Sequence, residues 1–206
     1  MRRLIRFAPL VVFVGAMSAQ VPGTGSMELG GFVGATYGLG DYGEMGGGNF
    51  SYAVNKYLLP YAEFSYFPYL ERQTSGTIAA NESYTANYSL AATDFHGGIH
   101  LRVPIKESRI VPYGVFGMGW LGFSQAPVSI AYTVGSTTVT TTLKSPSTGA
   151  FAVNFGGGLR FYVHPRFGLR VEAKGYKPMG QPTGPGSFGY NSAFMKVEGG
   201  FFFQFR

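Results

Sequence analysis

The chain has 206 residues, of which 13% are charged and 17% aromatic, and its formal net charge is +6. Soluble proteins have about 25% charged residues, so this composition argues against an ordinary soluble surface. The absence of cysteine excludes disulfides and thiolate metal sites.

The first 19 residues have the pattern of a cleavable secretory signal peptide. Residues 1–6 contain three arginines, residues 7–15 form a short apolar core, and the small residues Ala16, Ser18 and Ala19 follow. We therefore predict a signal peptide, residues 1–19, and one further domain, residues 20–206. Without the three arginines, 13 basic residues remain against 10 acidic ones, a net charge of only +3. We expect no nucleic-acid partner.

Past residue 26 the sequence repeats a rhythm of alternating segments and breaks. Each segment is long enough for the ~9–11 residues of a tilted membrane-spanning strand, whereas soluble strands average about 5–6 residues. Eight strands are predicted: Met27–Leu39, Tyr42–Asn55, Leu59–Leu70, Ser89–Val103, Ile110–Phe123, Ala150–Val163, Phe167–Lys177 and Asn191–Phe205.

The breaks alternate in length, as they do in outer-membrane barrels with short periplasmic turns and longer extracellular loops. The short connections are Asn55–Leu59, Pro104–Arg109 and His164–Arg166. The predicted long loops are Glu71–Tyr88, Ser124–Gly149 and Pro178–Tyr190, whereas Gly40–Asp41 is short. An even strand number places both chain ends on the side of the short turns.

The second long loop contains two β-prone runs, Val128–Val134 and Thr137–Leu143, on either side of Gly135 and Ser136. A Gly-Ser pair between two such runs is typical of a hairpin turn. The loop is therefore predicted to form a β-ribbon above the barrel. A disordered loop rich in Ser and Thr is the alternative.

The seventh predicted strand shows how polarity is distributed between the two faces. Its odd-numbered residues from Phe167 to Ala173 are apolar, whereas Arg170, Glu172 and Lys174 occupy alternate positions on the opposite face. A soluble sandwich needs a polar outer face and could not bury these charges. The pattern indicates lipid on the apolar side and a polar interior. Similar patterns recur along the chain, but the fifth strand cannot be oriented.

The polar faces together carry a balanced set of charges. Isolated buried charges are costly, so these side chains are expected to pair within the interior, Glu172 with Lys196 or Arg160. Glycines on the same faces are expected to leave room for long Arg and Lys side chains. The predicted network comprises Glu28, Glu63, Asp94, Arg102, Arg160, Arg170, Glu172, Lys174, Lys196 and Glu198.

Aromatic residues cluster near the predicted strand ends, where a membrane barrel has interfacial girdles. The alternative explanation is that β-strands favour aromatic residues in any environment. The residues concerned are Tyr57, Tyr61, Tyr66, Tyr69, Tyr113, Tyr162, Phe167 and Tyr176.

The segments Gly156–Lys174 and Lys196–Phe205 resemble the penultimate hairpin and last strand of the OmpA/OmpX-like outer-membrane β-barrel superfamily. The resemblance implies a porin-like, all-β, eight-stranded antiparallel transmembrane up-and-down barrel. It also implies a bacterial outer-membrane location, contact with membrane lipid and lipopolysaccharide, and recognition of the last strand by the barrel-assembly machinery. Since this superfamily is functionally diverse, fold alone does not define an activity.

Catalytic chemistry has little support in the sequence. The only histidines are His96, His100 and His164, and none forms a recognisable nucleophile–base pattern for a lipid A-modifying enzyme. One metal ion could not bridge His96 and His100, which are about 13 Å apart along a strand. No catalytic, metal or cofactor site is therefore predicted.

The remaining hypotheses concern binding and transport. The favoured one is a structural or surface-interaction protein whose lumen is filled by side chains and whose loops contact an unknown extracellular ligand. A narrow porin-like pore is the alternative, although open channels generally need about 16–18 strands. A lipid A-modifying enzyme comes third.

Overall fold

The computed structural model describes residues 23–39, 43–79, 82–124, 127–134, 137–144, 147–179 and 193–205. The predicted signal peptide, residues 1–19, lies outside them and stays a prediction. Among the described residues there is no helix long and apolar enough to cross a membrane. The strands described are β1 Met27–Tyr37, β2 Gly43–Tyr52, β3 Leu58–Ala79, β4 Glu82–Arg102, β5 Ile110–Phe123, β6 Pro127–Val134, β7 Thr137–Lys144, β8 Thr148–His164, β9 Phe167–Met179 and β10 Phe194–Phe205.

Eight of these strands form a closed antiparallel barrel in the order β1-β2-β3-β4-β5-β8-β9-β10. The barrel closes where β1 pairs with β10, from Met27 opposite Phe205 to Tyr37 opposite Met195. The predicted eight-stranded up-and-down barrel is confirmed. Closure leaves no unpaired barrel edge, which satisfies the backbone hydrogen bonds of every spanning segment.

The predicted loop Glu71–Tyr88 is wrong, because β3 and β4 continue through it as one long hairpin. Their pairing runs from Glu71 opposite Ser89 to Ala79 opposite Glu82. This stretch contains Thr, Ile and Tyr residues that favour strands, but its polar composition conceals the alternation from which a membrane strand is recognised. Beyond the membrane, neither face of a strand has to be apolar.

The predicted β-ribbon is confirmed as the hairpin of β6 and β7, which pair from Pro127 opposite Lys144 to Val134 opposite Thr137. In addition, β6 pairs with the extended part of β4, between residues 84 and 88. The extensions of β3 and β4 therefore join β6 and β7 in a four-stranded sheet, which we call the protruding sheet.

The short connections 53–57, 103–109 and 165–166 lie together at the opposite end of the barrel, which we call the turn end. The third predicted loop begins with Pro178 and Met179, which belong to β9, and its residues 180–190 lie outside the described residues. The predicted short break at Gly40–Asp41 also lies outside them.

The structure orients β5, which the sequence could not. Val111, Tyr113 and Val115 are buried inside the barrel, whereas Phe116 and Trp120 are more than half exposed on its outer surface. Both faces of this strand are apolar, so alternation carries no information about which one points inward. Its pairing with β4 and β8 fixes the choice.

Interior glycines make room for aromatic rings. A Cβ atom at Gly158 would lie 2.6 Å from the Tyr113 hydroxyl oxygen, and one at Gly168 would collide with the ring of Phe202. The side chains nearest to these two glycines are aromatic, not the Arg and Lys side chains expected from the sequence. Tyr113 uses the space beside Gly158 to reach Glu172.

Candidate functional site: the charged barrel interior

The structure places all of the sequence-predicted charged residues inside the barrel. None of them is more than 2% exposed. They come from six of the eight barrel strands, because strand alternation turns every second side chain inward. Their positions are Glu28 on β1, Glu63 on β3, Asp94 and Arg102 on β4, Arg160 on β8, Arg170, Glu172 and Lys174 on β9, and Lys196 and Glu198 on β10.

Near the turn end, Glu28 lies between two arginines. Arg160 donates a hydrogen bond to Glu28, and Nη1 of Arg102 lies 3.7 Å from Oε1 of the same carboxylate. Arg102 also donates a hydrogen bond of 2.9 Å to the main-chain carbonyl of Asn55. This cluster therefore ties the interior to the connection between β2 and β3.

Glu63 is the acidic centre of the middle of the barrel. Its Oε1 accepts hydrogen bonds of 2.6 Å from the ammonium groups of Lys174 and Lys196, and its Oε2 lies 3.5 Å from Arg170. Arg170 also donates a hydrogen bond of 2.8 Å to Glu198. Three cations from two strands thus converge on one carboxylate from the opposite wall.

The sequence predicts that Glu172 pairs with Lys196 or Arg160, but it pairs with neither. Its carboxylate lies 2.6 Å from the Lys174 ammonium and accepts a hydrogen bond of 2.6 Å from Tyr113. The register explains the difference, because it places like charges opposite each other, Lys196 facing Lys174 and Arg160 facing Arg170. Direct cross-strand pairing would be repulsive, and Glu172 instead contacts Lys174 on its own strand and Tyr113 on β5.

The two interior histidines are part of this polar packing. His96 contacts the carboxylate of its own-strand neighbour Asp94, and His100 stacks on Tyr61 with ring centroids 4.3 Å apart. A ring nitrogen of His100 lies 3.0 Å from Nη2 of Arg160. Among the residues that the structure describes, no serine hydroxyl is hydrogen-bonded to either ring.

Three carboxylates, Glu63, Glu172 and Glu198, offer oxygens within 4.8 Å of one another, an arrangement that the sequence did not reveal. The ammonium of Lys174 lies 2.6 Å from Glu63, 2.6 Å from Glu172 and 3.8 Å from Glu198. Lysine therefore already supplies the positive charge that a metal ion would bring to these oxygens. The arrangement suits a salt-bridge centre better than a metal site.

Half of the aromatic residues predicted for interfacial girdles lie inside the barrel. Tyr61, Tyr113, Tyr162 and Tyr176 are buried, whereas Tyr57, Tyr66, Tyr69 and Phe167 are exposed on the outside. Strand parity could have identified three of the buried ones, because Tyr61, Tyr162 and Tyr176 share the parity of charged residues on their own strands. It would have placed Tyr69 inside as well, because a register irregularity between Phe67 and Leu70 shifts the alternation there. Two of their hydroxyls join the charged network: Tyr113 donates to Glu172 over 2.6 Å and Tyr176 donates to Asp94 over 3.2 Å.

Clusters of buried apolar side chains lie towards both ends of the interior. Towards the protruding sheet lies a group of buried apolar side chains, which we call the apolar cap. Towards the turn end, Val111, Tyr162 and Phe202 form a smaller cluster. The charged residues in the middle of the barrel thus lie between apolar groups, whereas Arg102 reaches the connection between β2 and β3. The apolar cap consists of Phe32, Leu39, Met45, Phe67, Leu70, Ala92, Leu121, Phe123, Tyr176 and Phe194.

The outer surface of the barrel is an apolar belt with the opposite chemistry. Val33, Phe95, Phe155 and Val171 are each between 56% and 71% exposed on it. A charged interior inside an apolar exterior is the reverse of a soluble barrel and is typical of a membrane barrel. The fold and its polarity define an integral outer-membrane β-barrel.

Comparison with known proteins agrees with this class. The chain matches the outer membrane protein beta-barrel domain family over residues 7–191 and belongs to that family. Its location is therefore the bacterial outer membrane, where it is surrounded by lipid and lipopolysaccharide.

Two solved structures share the fold. The N-terminal barrel domain of Pseudomonas aeruginosa OprF has 13% sequence identity and a TM-score of 0.50, covering 89% of this chain and 100% of that one. Neisserial surface protein A has 11% identity and a TM-score of 0.50, covering 87% of this chain and 96% of that one. A search of curated proteins finds no match.

Proposed function

We propose that this barrel is a non-enzymatic structural or surface-interaction protein with a side-chain-filled lumen. The apolar cap is the observation that carries the proposal. A conducting pore needs a continuous polar path, whereas here the charged layer ends against Phe67, Leu121 and Phe194. An eight-stranded barrel has an interior just wide enough for such side chains to fill.

We infer that the contact surface is the protruding sheet, together with the predicted loop Pro178–Tyr190. Outer-membrane barrels have short periplasmic turns and longer extracellular segments, so the protruding sheet faces outward. The exposed residues of β7 include Thr137, Thr138 and Val139. During biogenesis we expect the barrel-assembly machinery to recognise the last strand, Lys196–Phe205.

Conductance tests the filled lumen. Purified folded barrel in a planar phospholipid bilayer is expected to give no discrete ion-conducting steps, because the apolar cap interrupts the polar interior. The double variant Phe67→Ala, Leu121→Ala removes two members of the cap and serves as the comparison. Reproducible steps from the unchanged protein would favour the narrow-pore hypothesis instead.

Cysteine labelling tests the orientation on which the contact surface depends. The chain has no cysteine, so single variants report one position each. On intact cells, a membrane-impermeant maleimide is expected to label Thr138→Cys on β7 and to leave Ser108→Cys at the turn end unlabelled. After the outer membrane is permeabilised, both variants should react. If intact cells showed labelling of Ser108→Cys but not of Thr138→Cys, the barrel would have the opposite orientation and the proposal would be contradicted.

A further inference from the structure

The turn end of the barrel carries an excess of positive charge. Its connections 53–57, 103–109 and 165–166 hold Lys56, Lys106, Arg109 and Arg166, but only one acid, Glu107. The interior, by contrast, has five acids and five bases and so contributes no net charge. The connecting sequences at the opposite end, 38–44, 71–88, 124–149 and 177–193, contain four acids and three bases. The positive balance of the predicted mature chain therefore belongs to the turn end.

Each of the three connections places a base directly beside an apolar residue on the edge of the apolar belt. Lys56 precedes Tyr57, Lys106 follows Ile105 and Arg166 precedes Phe167. These three apolar side chains are between 37% and 52% exposed. The bases are therefore at the boundary where acyl chains give way to headgroups, and long cationic chains at such a boundary extend to the phosphate level.

The connections are held in defined conformations before any ligand arrives. Oδ1 of Asn55 accepts hydrogen bonds from the main-chain amides of Tyr57, at 2.7 Å, and Leu58, at 2.8 Å. The Lys56 ammonium lies 4.8 Å from the centroid of the Tyr57 ring. In the third connection, the amide of Arg166 donates to Nδ1 of His164 over 3.3 Å. Little ordering of the backbone is needed for the bases to bind an anion.

We propose that the turn end binds anionic phospholipid headgroups of the periplasmic leaflet through the bases of its three connections. Attraction of basic residues to an anionic membrane surface is worth about 1 kcal/mol for each Lys or Arg near the surface. Bases beside Tyr57, Ile105 and Phe167 fit a phospholipid better than the polyanionic cell wall, because the wall offers no apolar phase for those side chains. The inference goes beyond the proposed extracellular contacts and depends only on the barrel orientation.

The test uses the folded barrel in detergent, titrated with phosphatidylglycerol or with zwitterionic phosphatidylethanolamine, with bound lipid counted by native mass spectrometry. The unchanged protein is expected to retain phosphatidylglycerol preferentially. The variant Lys106→Gln, Arg166→Gln should raise the apparent Kd for phosphatidylglycerol about tenfold. The matched control Lys144→Gln, Lys177→Gln removes the same charge from the opposite end and should leave this Kd within about twofold.

Three outcomes would overturn the proposal. They are equal retention of the two lipids by the unchanged protein, an equal rise in the Kd for phosphatidylglycerol in the two double variants, and an unchanged Kd in the turn-end variant. Co-sedimentation with purified peptidoglycan that depends on Lys106 and Arg166, while lipid retention does not, would assign these bases to the cell wall instead. Heat-modifiability on gels verifies folding. If the double variant does not fold, the single variant Lys106→Gln replaces it, because the side chain of Lys106 is 92% exposed. The cysteine labelling separates a wrong orientation from a wrong ligand.

Discussion

Replacing Glu63 by alanine is expected to lower the free energy of unfolding by about 3–5 kcal/mol. Glu63 neutralises Lys174 and Lys196 at 2.6 Å and Arg170 at 3.5 Å. Its loss leaves five cations against four acids in an interior where none of the ten groups is exposed to solvent. Removing one partner of a buried ion pair costs more than the pair contributes, because the remaining charge stays desolvated.

Denaturant unfolding of the barrel in phospholipid vesicles measures this effect. The single tryptophan, Trp120, is 56% exposed on the outer surface and reports insertion through its fluorescence. Glu63→Gln preserves the volume and one acceptor oxygen, and should destabilise less than Glu63→Ala. The control is Glu107→Ala, which removes a solvent-exposed acid 3.8 Å from Lys106 and should change nothing measurable. Equal stability of Glu63→Ala and Glu107→Ala would mean that the interior charges are hydrated.

The membrane-spanning part of the fold could be predicted from the sequence because lipid imposes a strict period of two. The bounds of β5, Ile110–Phe123, are those predicted, and β9 begins at Phe167 as predicted. Above the membrane this constraint ends, which is why the sequence predicts a loop where the long β3–β4 hairpin lies. The ribbon can be predicted there only because two β-prone runs flank a turn dipeptide.

The interior could be predicted as a set of residues but not as a set of contacts. Parity alone assigns Arg160, Arg170 and Glu172 to the polar face. Which groups meet depends on register and on barrel closure, and these bring Glu63 of β3 against Lys174 of β9 across the lumen. Adjacency of strands predicts the wrong partner for Glu172, because like charges lie opposite each other on neighbouring strands.

Replacing Leu169 by arginine tests the opposite face of the barrel. Leu169 is 48% exposed on the apolar belt, one residue before the buried Arg170. Arginine on the lipid face is expected to lower the free energy of unfolding by about 2–4 kcal/mol at the bilayer midplane, and by less towards either interface. Val197→Arg, on the neighbouring strand β10, should have a comparable effect.

The same unfolding measurement in vesicles, followed by Trp120 fluorescence, gives the magnitude. Depth provides the matched control, because Val163→Arg changes an exposed apolar residue close to the turn end, where a long cationic chain reaches the headgroups. This variant should lower the free energy of unfolding by no more than about 1 kcal/mol. If Leu169→Arg and Val163→Arg were tolerated equally, the apolar belt would not contact acyl chains. A large loss of unfolding free energy for arginine at Leu169 and Val197, with a small loss at Val163, would instead locate the hydrocarbon core along the barrel axis.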